Sequence, residues 1–183
     1  MEANTFDDPR ITAVGLLFEV HAGLAARFAA QLEKHGLSPV EFEVLTRLTR
    51  SPANQLRMTD LAAQTSLSTS GVTRVVDRME RDGLITRRAC PSDRRSSYAV
   101  MTTAGLRRLD ESLPGHLQLI EDWFTGQLDP TALDALLDGL RRVRDAVHPG
   151  ATAGSRSTAP GEAPADCDEQ GAEPHGSGDP PGR

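Results

Sequence analysis

The sequence predicts a mainly α-helical chain carrying one small β-hairpin, and three observations lead there. Apolar residues recur every three to four positions through six segments, most of them opened by a recognisable cap residue. Immediately after Gly83 the period drops to two, across Leu84–Cys90 and Ser96–Met101, with turn formers between. Just before that change lie two short helical segments joined by a tight turn, the second more polar and more basic than the first. This is a helix-turn-helix pattern.

The first segment, residues 11–36, places Ile11, Val14, Phe18, Ala25, Phe28 and Leu32 along one narrow seam, with His21 on the same side. A long helix with a single narrow seam packs on another helix, and a second copy of the chain is the expected partner. Ser38-Pro39-Val40-Glu41 then reads as an N-cap, a proline at the first helical position and a glutamate that completes a capping box. The helix it opens turns Phe42, Leu45 and Leu48 inward and stops before Ser51-Pro52. Thr59 is the expected cap of a short helix over 60–65 with Leu61 and Ala62 inward.

The next helix organises the chain. Ser68 is its N-cap and Gly83 its C-terminal stop. Val72, Val75, Val76 and Met79 form one apolar stripe, while Thr69, Ser70, Thr73, Arg74, Asp77, Arg78 and Arg81 occupy the opposite side. Small hydroxyls followed by arginines suit a groove, because short side chains let the backbone approach bases and cations meet phosphates. In the hairpin that follows, Pro91-Ser92-Asp93-Arg94-Arg95 makes an arginine-rich tip. Thr102 caps a helix expected to reach about residue 128, with Leu106, Leu109, Leu113, Leu117, Ile120 and Phe124 inward. Pro114-Gly115 should kink or break it. Asp129-Pro130 opens a last helix with Leu133, Leu136, Leu137, Leu140, Val143 and Val147 on one side.

Composition narrows the function. The 183 residues suggest one domain with room for a tail, and 38% hydrophobic content supports a modest core. No apolar run is expected to be long enough to span a bilayer, and the acidic, polar start is not a secretory signal. Two cysteines make no disulfide framework, so a reduced cytoplasmic setting is expected. The net charge of −6 is unevenly spread. Between Arg74 and Arg108 nine arginines face four acids, a net of +5. From His148 onward Glu162, Asp166, Asp168, Glu169, Glu173 and Asp179 outnumber Arg156 and Arg183, a net of −4. That last stretch has no apolar period. It divides the chain into a flexible start at 1–10, a folded part at 11–147 and a disordered acidic Pro/Gly/Ala-rich tail at 148–183.

In combination, three motifs resemble the MarR family of bacterial transcription regulators: the polar helix running into Arg78-Met79-Glu80-Arg81-Asp82-Gly83-Leu84-Ile85, the Asp93-Arg94-Arg95 hairpin tip, and Val100-Met101-Thr102-Thr103-Ala104-Gly105 opening a helix. The resemblance covers residues 11–147 and implies a winged helix-turn-helix with N- and C-terminal dimerisation helices and a DNA-binding lobe at about 38–101. It implies that Thr69, Ser70, Thr73 and Arg74 meet base edges in the major groove, that Arg95, with Asp93 bracing the wing backbone or its arginines, enters the minor groove, and that Ser68 and Arg94 belong to the same DNA-binding set. Arg78, Arg81, Arg87, Arg88, Arg107 and Arg108 are read as phosphate contacts or solvated charge. The family implies a homodimer on an inverted-repeat operator, a repressor output, no enzymatic activity, and release by a small aromatic or phenolic effector. His21, Arg27 and Phe28 are the pocket candidates on the first helix. The acidic tail and the Pro114-Gly115 pair depart from the family pattern.

Other classes find less support. The five histidines show no metal-ligand spacing on an ordered segment, and neither a phosphate loop nor a nucleophile elbow is present, so no cofactor and no catalytic residue is expected. Two alternatives stay open. Cys90, next to Arg87 and Arg88, is a redox candidate if positive charge favours its thiolate, and a small packed residue otherwise. A winged helix that binds protein is the other, against which the arginines of the wing argue.

Overall fold

The computed structural model describes residues 8–65, 67–90 and 96–151. The elements are α1 (Pro9–Glu33), α2 (Pro39–Thr49), a 3-10 turn (Pro52–Asn54), β1 (Gln55–Arg57), α3 (Met58–Gln64), α4 (Thr69–Arg81), β2 (Ile85–Ala89), β3 (Ser97–Met101), α5 (Thr103–Trp123), a second 3-10 turn (Thr125–Gln127) and α6 (Pro130–Val147). Residues 1–7 and the tail from 152 lie outside the described residues, as do Asp93, Arg94 and Arg95 at the hairpin tip.

Local chemistry accounts for the element ends. Asp8 accepts from the Arg10 amide and starts α1 two residues before the expected position. Ser38 and Glu41 form the complete capping box, Ser68 accepts from the Gly71 amide, Thr102 from Gly105 and Asp129 from Ala132. Each such cap is worth about 1 kcal/mol. Gly83 leaves α4 at φ +71°, a conformation that glycine enters without a Cβ clash, and the chain turns into β2 there.

The core gathers around α2. Val44, Leu45 and Leu48 are fully buried against Leu32 of α1, Leu61 of α3, Val72, Val76 and Met79 of α4, Ile85 and Ala99 of the sheet and Leu109 of α5. The sheet has the order β1-β3-β2, antiparallel throughout, with Arg57 opposite Tyr98 and Arg88 opposite Tyr98 across the three strands. At its base, α5 presses directly on the sheet's entry: a Cβ on Gly105 would lie 2.1 Å from the Leu84 carbonyl oxygen. Thr102 bonds the same carbonyl through both its amide (3.1 Å) and its hydroxyl (3.0 Å).

Five expectations need correction. Strand β1 was absent from the sequence pattern; three residues show too short a period to read. Helix α3 begins at Met58 with Arg57 in the cap position, so Thr59 lies inside the first turn and caps nothing. Helix α5 runs through Pro114 without a break and ends at Trp123 rather than near 128. Its inward face is Gly105, Leu109, Ser112 and His116, whereas Leu106, Leu113 and Leu117 are exposed. Finally, α1 is long and apolar enough to cross a bilayer by length and composition alone. Its solvent-facing residues include Ile11, Val14, Leu17 and Phe18, and on α6 Leu140, Val143 and Val147 are exposed as well.

Candidate nucleic-acid interface

Helix α4 is about 20 Å long, at 1.5 Å per residue. Burial of Val72, Val76 and Met79 fixes which way it is rolled, and that leaves Ser68, Thr69, Ser70, Thr73 and Arg74 together on the solvent side. The hydroxyls are partly committed. Ser68 Oγ accepts from the Gly71 amide at 3.1 Å and lies 3.1 Å from Ser70 Oγ. Thr73 Oγ1 donates to the Thr69 carbonyl at 2.9 Å, which leaves its lone pairs and methyl outward. Arg74 makes no hydrogen bond or ion pair with the described residues, so its planar fork of donors faces solvent.

Five of the arginines placed among the phosphate candidates have partners within the chain, beginning with Arg78 and Arg87. Arg78 reaches back to α2, its Nε 2.5 Å from Glu41 Oε1. Glu41 in turn receives the Ser38 amide at 2.8 Å and the Ser38 hydroxyl at 2.7 Å. Burial pushes the Glu41 carboxyl up, but the Ser38 bonds and the Arg78 guanidinium outweigh it and hold the carboxyl below its ordinary range. The first turn of α2 and the last turn of α4 are thus tied through one carboxylate.

Arg87 on β2 is the second. Its guanidinium lies 2.5 Å from Asp77 and 3.4 Å from Glu80 and donates to the Thr73 carbonyl at 3.2 Å, while its own amide donates to Glu80 at 2.9 Å. The wing strand is therefore clamped to three successive turns of α4. The sequence offered a signal for this that pattern reading passed over: Asp77 and Glu80 are three apart on one helix side, opposite a strand arginine. On the other edge, Arg57 Nε donates to Tyr98 Oη at 2.9 Å, and Arg57 and Arg88 flank the Tyr98 ring at 5.6 and 6.0 Å. Arg88 also donates to Gln55 at 2.7 Å. Arg107 lies 3.9 Å from Glu111, and Arg108 donates to the His35 carbonyl at 3.0 Å.

The wing tip, with Asp93, Arg94 and Arg95, lies outside the described residues; its last described pair, Cys90 and Ser96, is closed by an amide-to-carbonyl bond of 3.0 Å. Cys90 is 2% exposed, a burial that suits a packed residue and shields the thiol from solvent.

The three pocket candidates on α1 separate. His21 is exposed, and Arg27 stacks on the Trp123 ring at 4.1 Å. Only Phe28 turns toward the body, where it meets His116 with ring centroids 4.6 Å apart; Phe42 of α2 lies 4.4 Å from the same imidazole. Gln31 completes the cluster. Its amide nitrogen donates to the Ser112 carbonyl at 3.0 Å, and its oxygen lies 3.3 Å from His116 Nδ1, the nitrogen that carries the proton in this arrangement. Burial lowers the His116 pKa, so the ring is neutral near pH 7. Sequence reading passed over His116 because it sits beside Pro114-Gly115, where helical spacing was expected to fail. Among the described residues, no group of three or more His, Cys, Asp or Glu is placed to hold a metal ion.

The model for the MarR family matches residues 37–97, which span α2 through the first residue of β3. The HTH-type transcriptional regulator YkoM of Bacillus subtilis is 36% identical over 112 residues, covering 61% of this chain and 70% of that protein. The crystal structure of AbsC, a MarR family transcriptional regulator from Streptomyces coelicolor, superposes with a TM-score of 0.73 at 30% identity, covering 79% of this chain and 97% of that one. Sco3205 from the same organism, a MarR family regulator solved in complex with DNA, gives a TM-score of 0.73 at 27% identity over 81% of this chain and 94% of that one.

Proposed function

The chain belongs to the MarR family of DNA-binding transcription regulators, and from that premise we propose that it occupies an inverted-repeat operator as a homodimer, represses the adjoining promoter in the cytoplasm, and is released by a small aromatic or phenolic effector. The observation that carries the operator reading is the roll of α4, which hides Val72, Val76 and Met79 and presents Thr69, Ser70, Thr73 and Arg74 as one exposed face. Arg74 reads a base edge, the two threonines and Ser70 make close groove contacts, and Arg94 and Arg95 extend the footprint into the neighbouring minor groove, where narrow width concentrates negative potential. Arg78 serves by holding α4 on α2, with the phosphate role left to the cations outside its ion pair.

Dimerisation is supported by the apolar residues that the single chain leaves in water. Phe18 is 67% exposed and Val147 77% exposed, with Ile11, Val14, Leu113, Leu117 and Val143 among their fellows on α1, α5 and α6. Faces this apolar indicate a covered surface. A two-fold dimer sets its two α4 helices about 34 Å apart, one turn of duplex. For the effector, the junction of α1, α2 and α5 around Phe28 and His116 is the proposed location, since it joins dimer helices to the DNA-binding lobe. His21 and Arg27 would line its outer approach.

The test is selection of bound duplexes from a random pool with the purified full chain. Recovered sites should be inverted repeats with half-site centres about 10 base pairs apart. Recovery of a pool with no sequence preference would defeat the operator reading and favour the protein-binding alternative for the wing.

A further inference from the structure

The end of α6 returns to the helix-turn-helix. His148 Nε2 donates to the Ala63 carbonyl on α3 at 3.0 Å, and Gly150 comes so close that a Cβ on it would lie 3.5 Å from the same oxygen and 3.7 Å from the Ala63 methyl. A bond from the Ala151 amide to the His148 carbonyl turns the chain at that point. The described chain, which ends at Ala151, therefore ends beside the last turn of α3. Ser68, the N-cap of α4, is five residues further along the chain, at most about 18 Å away.

We propose that residues 152–183 lie over the DNA-binding face of α4 in the free protein and compete with DNA for it. This rests on the DNA-binding reading of α4. The departing segment carries six carboxylates between Glu162 and Asp179 against two arginines, a net of −4, and the lobe it leaves from is the arginine-rich part of the chain. Reach is sufficient. Glu162 is eleven residues beyond Ala151, or up to about 36 Å of chain, and α4 is about 20 Å long. Arg74 and Arg81 make no ion pair with the described residues, so the cations that would receive these carboxylates are available. Tethering places the acids at an effective concentration of about millimolar, which makes even weak, solvent-exposed pairs competitive. DNA displaces them because duplex offers one phosphate per about 1.7 Å, a far denser run of charge. The segment thus acts as a threshold: it lowers affinity for operator and random DNA by the same factor. It also flattens the salt dependence, since arginines already paired to carboxylates have fewer counterions to release.

The experiment compares the full chain with a full-length variant in which the six acids become their amides (Glu162→Gln, Asp166→Asn, Asp168→Asn, Glu169→Gln, Glu173→Gln, Asp179→Asn). Binding of a random-sequence 30-base-pair duplex is titrated between 50 mM and 500 mM salt. The variant should bind about five- to tenfold tighter at 50 mM, with a steeper slope of log K against log salt, and the two proteins should converge at the upper end. A readout that needs no DNA comes from the chain itself. A nitroxide on Cys167, amid these acids, should broaden the amide resonances of residues 69–74 in the free protein and cease to do so when the duplex is added; buried Cys90 does not take the label. Equal affinity at every salt concentration overturns the competition. Tighter binding without broadening at α4 overturns the contact and leaves only a long-range charge effect. Failure of both proteins to bind any duplex would defeat the DNA-binding reading instead, while the label still reports on docking.

Discussion

Arg74 is where base recognition is expected to concentrate, because it is exposed on the face of α4 and no described residue engages its guanidinium. Arg74→Ala should cost about 1–3 kcal/mol on the cognate site and relax preference at one position in each half-site, read by competition against single-base operator variants. An equal loss on random DNA would reassign the side chain to phosphate. His116 gives a second test at this scale. Burial holds its folded pKa below the unfolded value, so the neutral ring's contribution to stability is complete above about pH 6.5 and declines as pH falls through the folded pKa. The melting temperature should therefore drop between pH 7 and pH 5 by more in the wild type than in His116→Gln, which keeps a polar group beside Gln31 and does not titrate in this range. Parallel pH profiles for the two proteins would show that the imidazole is not the group responsible. Residues of this kind resist sequence reading: nothing in the spacing of Gln31, Phe28, Phe42 and His116 announces that three helices bring them to one point.

Elements were far more legible. The caps at Ser38, Ser68, Thr102 and Asp129, the stop at Gly83 and the shift of period into β2 and β3 are local chemistry, and each stands where the sequence placed it. What failed was whatever depends on the neighbours of an element. The expected inward face of α5 took in Leu106, Leu113 and Leu117, which are exposed, because a stripe shows which residues share a side and not which side meets its own chain. Strand β1 owes its existence to β3 alone. The clamp from Arg87 to α4 is likewise a relation between elements, and a double-mutant cycle measures it. Arg87→Ala and Asp77→Ala should couple by about 0.2–1 kcal/mol in chemical denaturation, the range for a pair this exposed. Arg87→Ala should also weaken operator binding although it faces no base, through a wing no longer held to α4. Zero coupling would mean that the wing keeps its position by backbone pairing alone. Where α5 crosses the sheet, Gly105→Ala should destabilise by more than about 2 kcal/mol, since a methyl 2.1 Å from the Leu84 oxygen requires the helix to move. An unchanged denaturation midpoint would show that α5 yields at that contact without cost.

For the whole molecule, the exposed apolar residues of α1, α5 and α6 set the first expectation: light scattering at micromolar concentration should give twice the chain mass, and Phe18→Asp should shift that mass toward one chain. A single-chain mass for the wild type would remove the inverted-repeat reading with it. The contact between Gly105 and Leu84 has a mechanical consequence for such an assembly. Helix α5 is a rod of about 31 Å that bears on the DNA-binding lobe at Gly105, Leu109 and His116, with about 11 Å of rod beyond the last of these. Held at three points along its length, the rod cannot pivot on one of them, so a push at its far end carries the lobe with it. The lobe, packed around α2, would then turn as one piece. If two copies pair about a two-fold axis, the lobes would turn in opposite senses, so what a ligand wedged near Phe28 and His116 would alter is the stride between the two α4 helices, while the exposed face of each α4 would stay as it was.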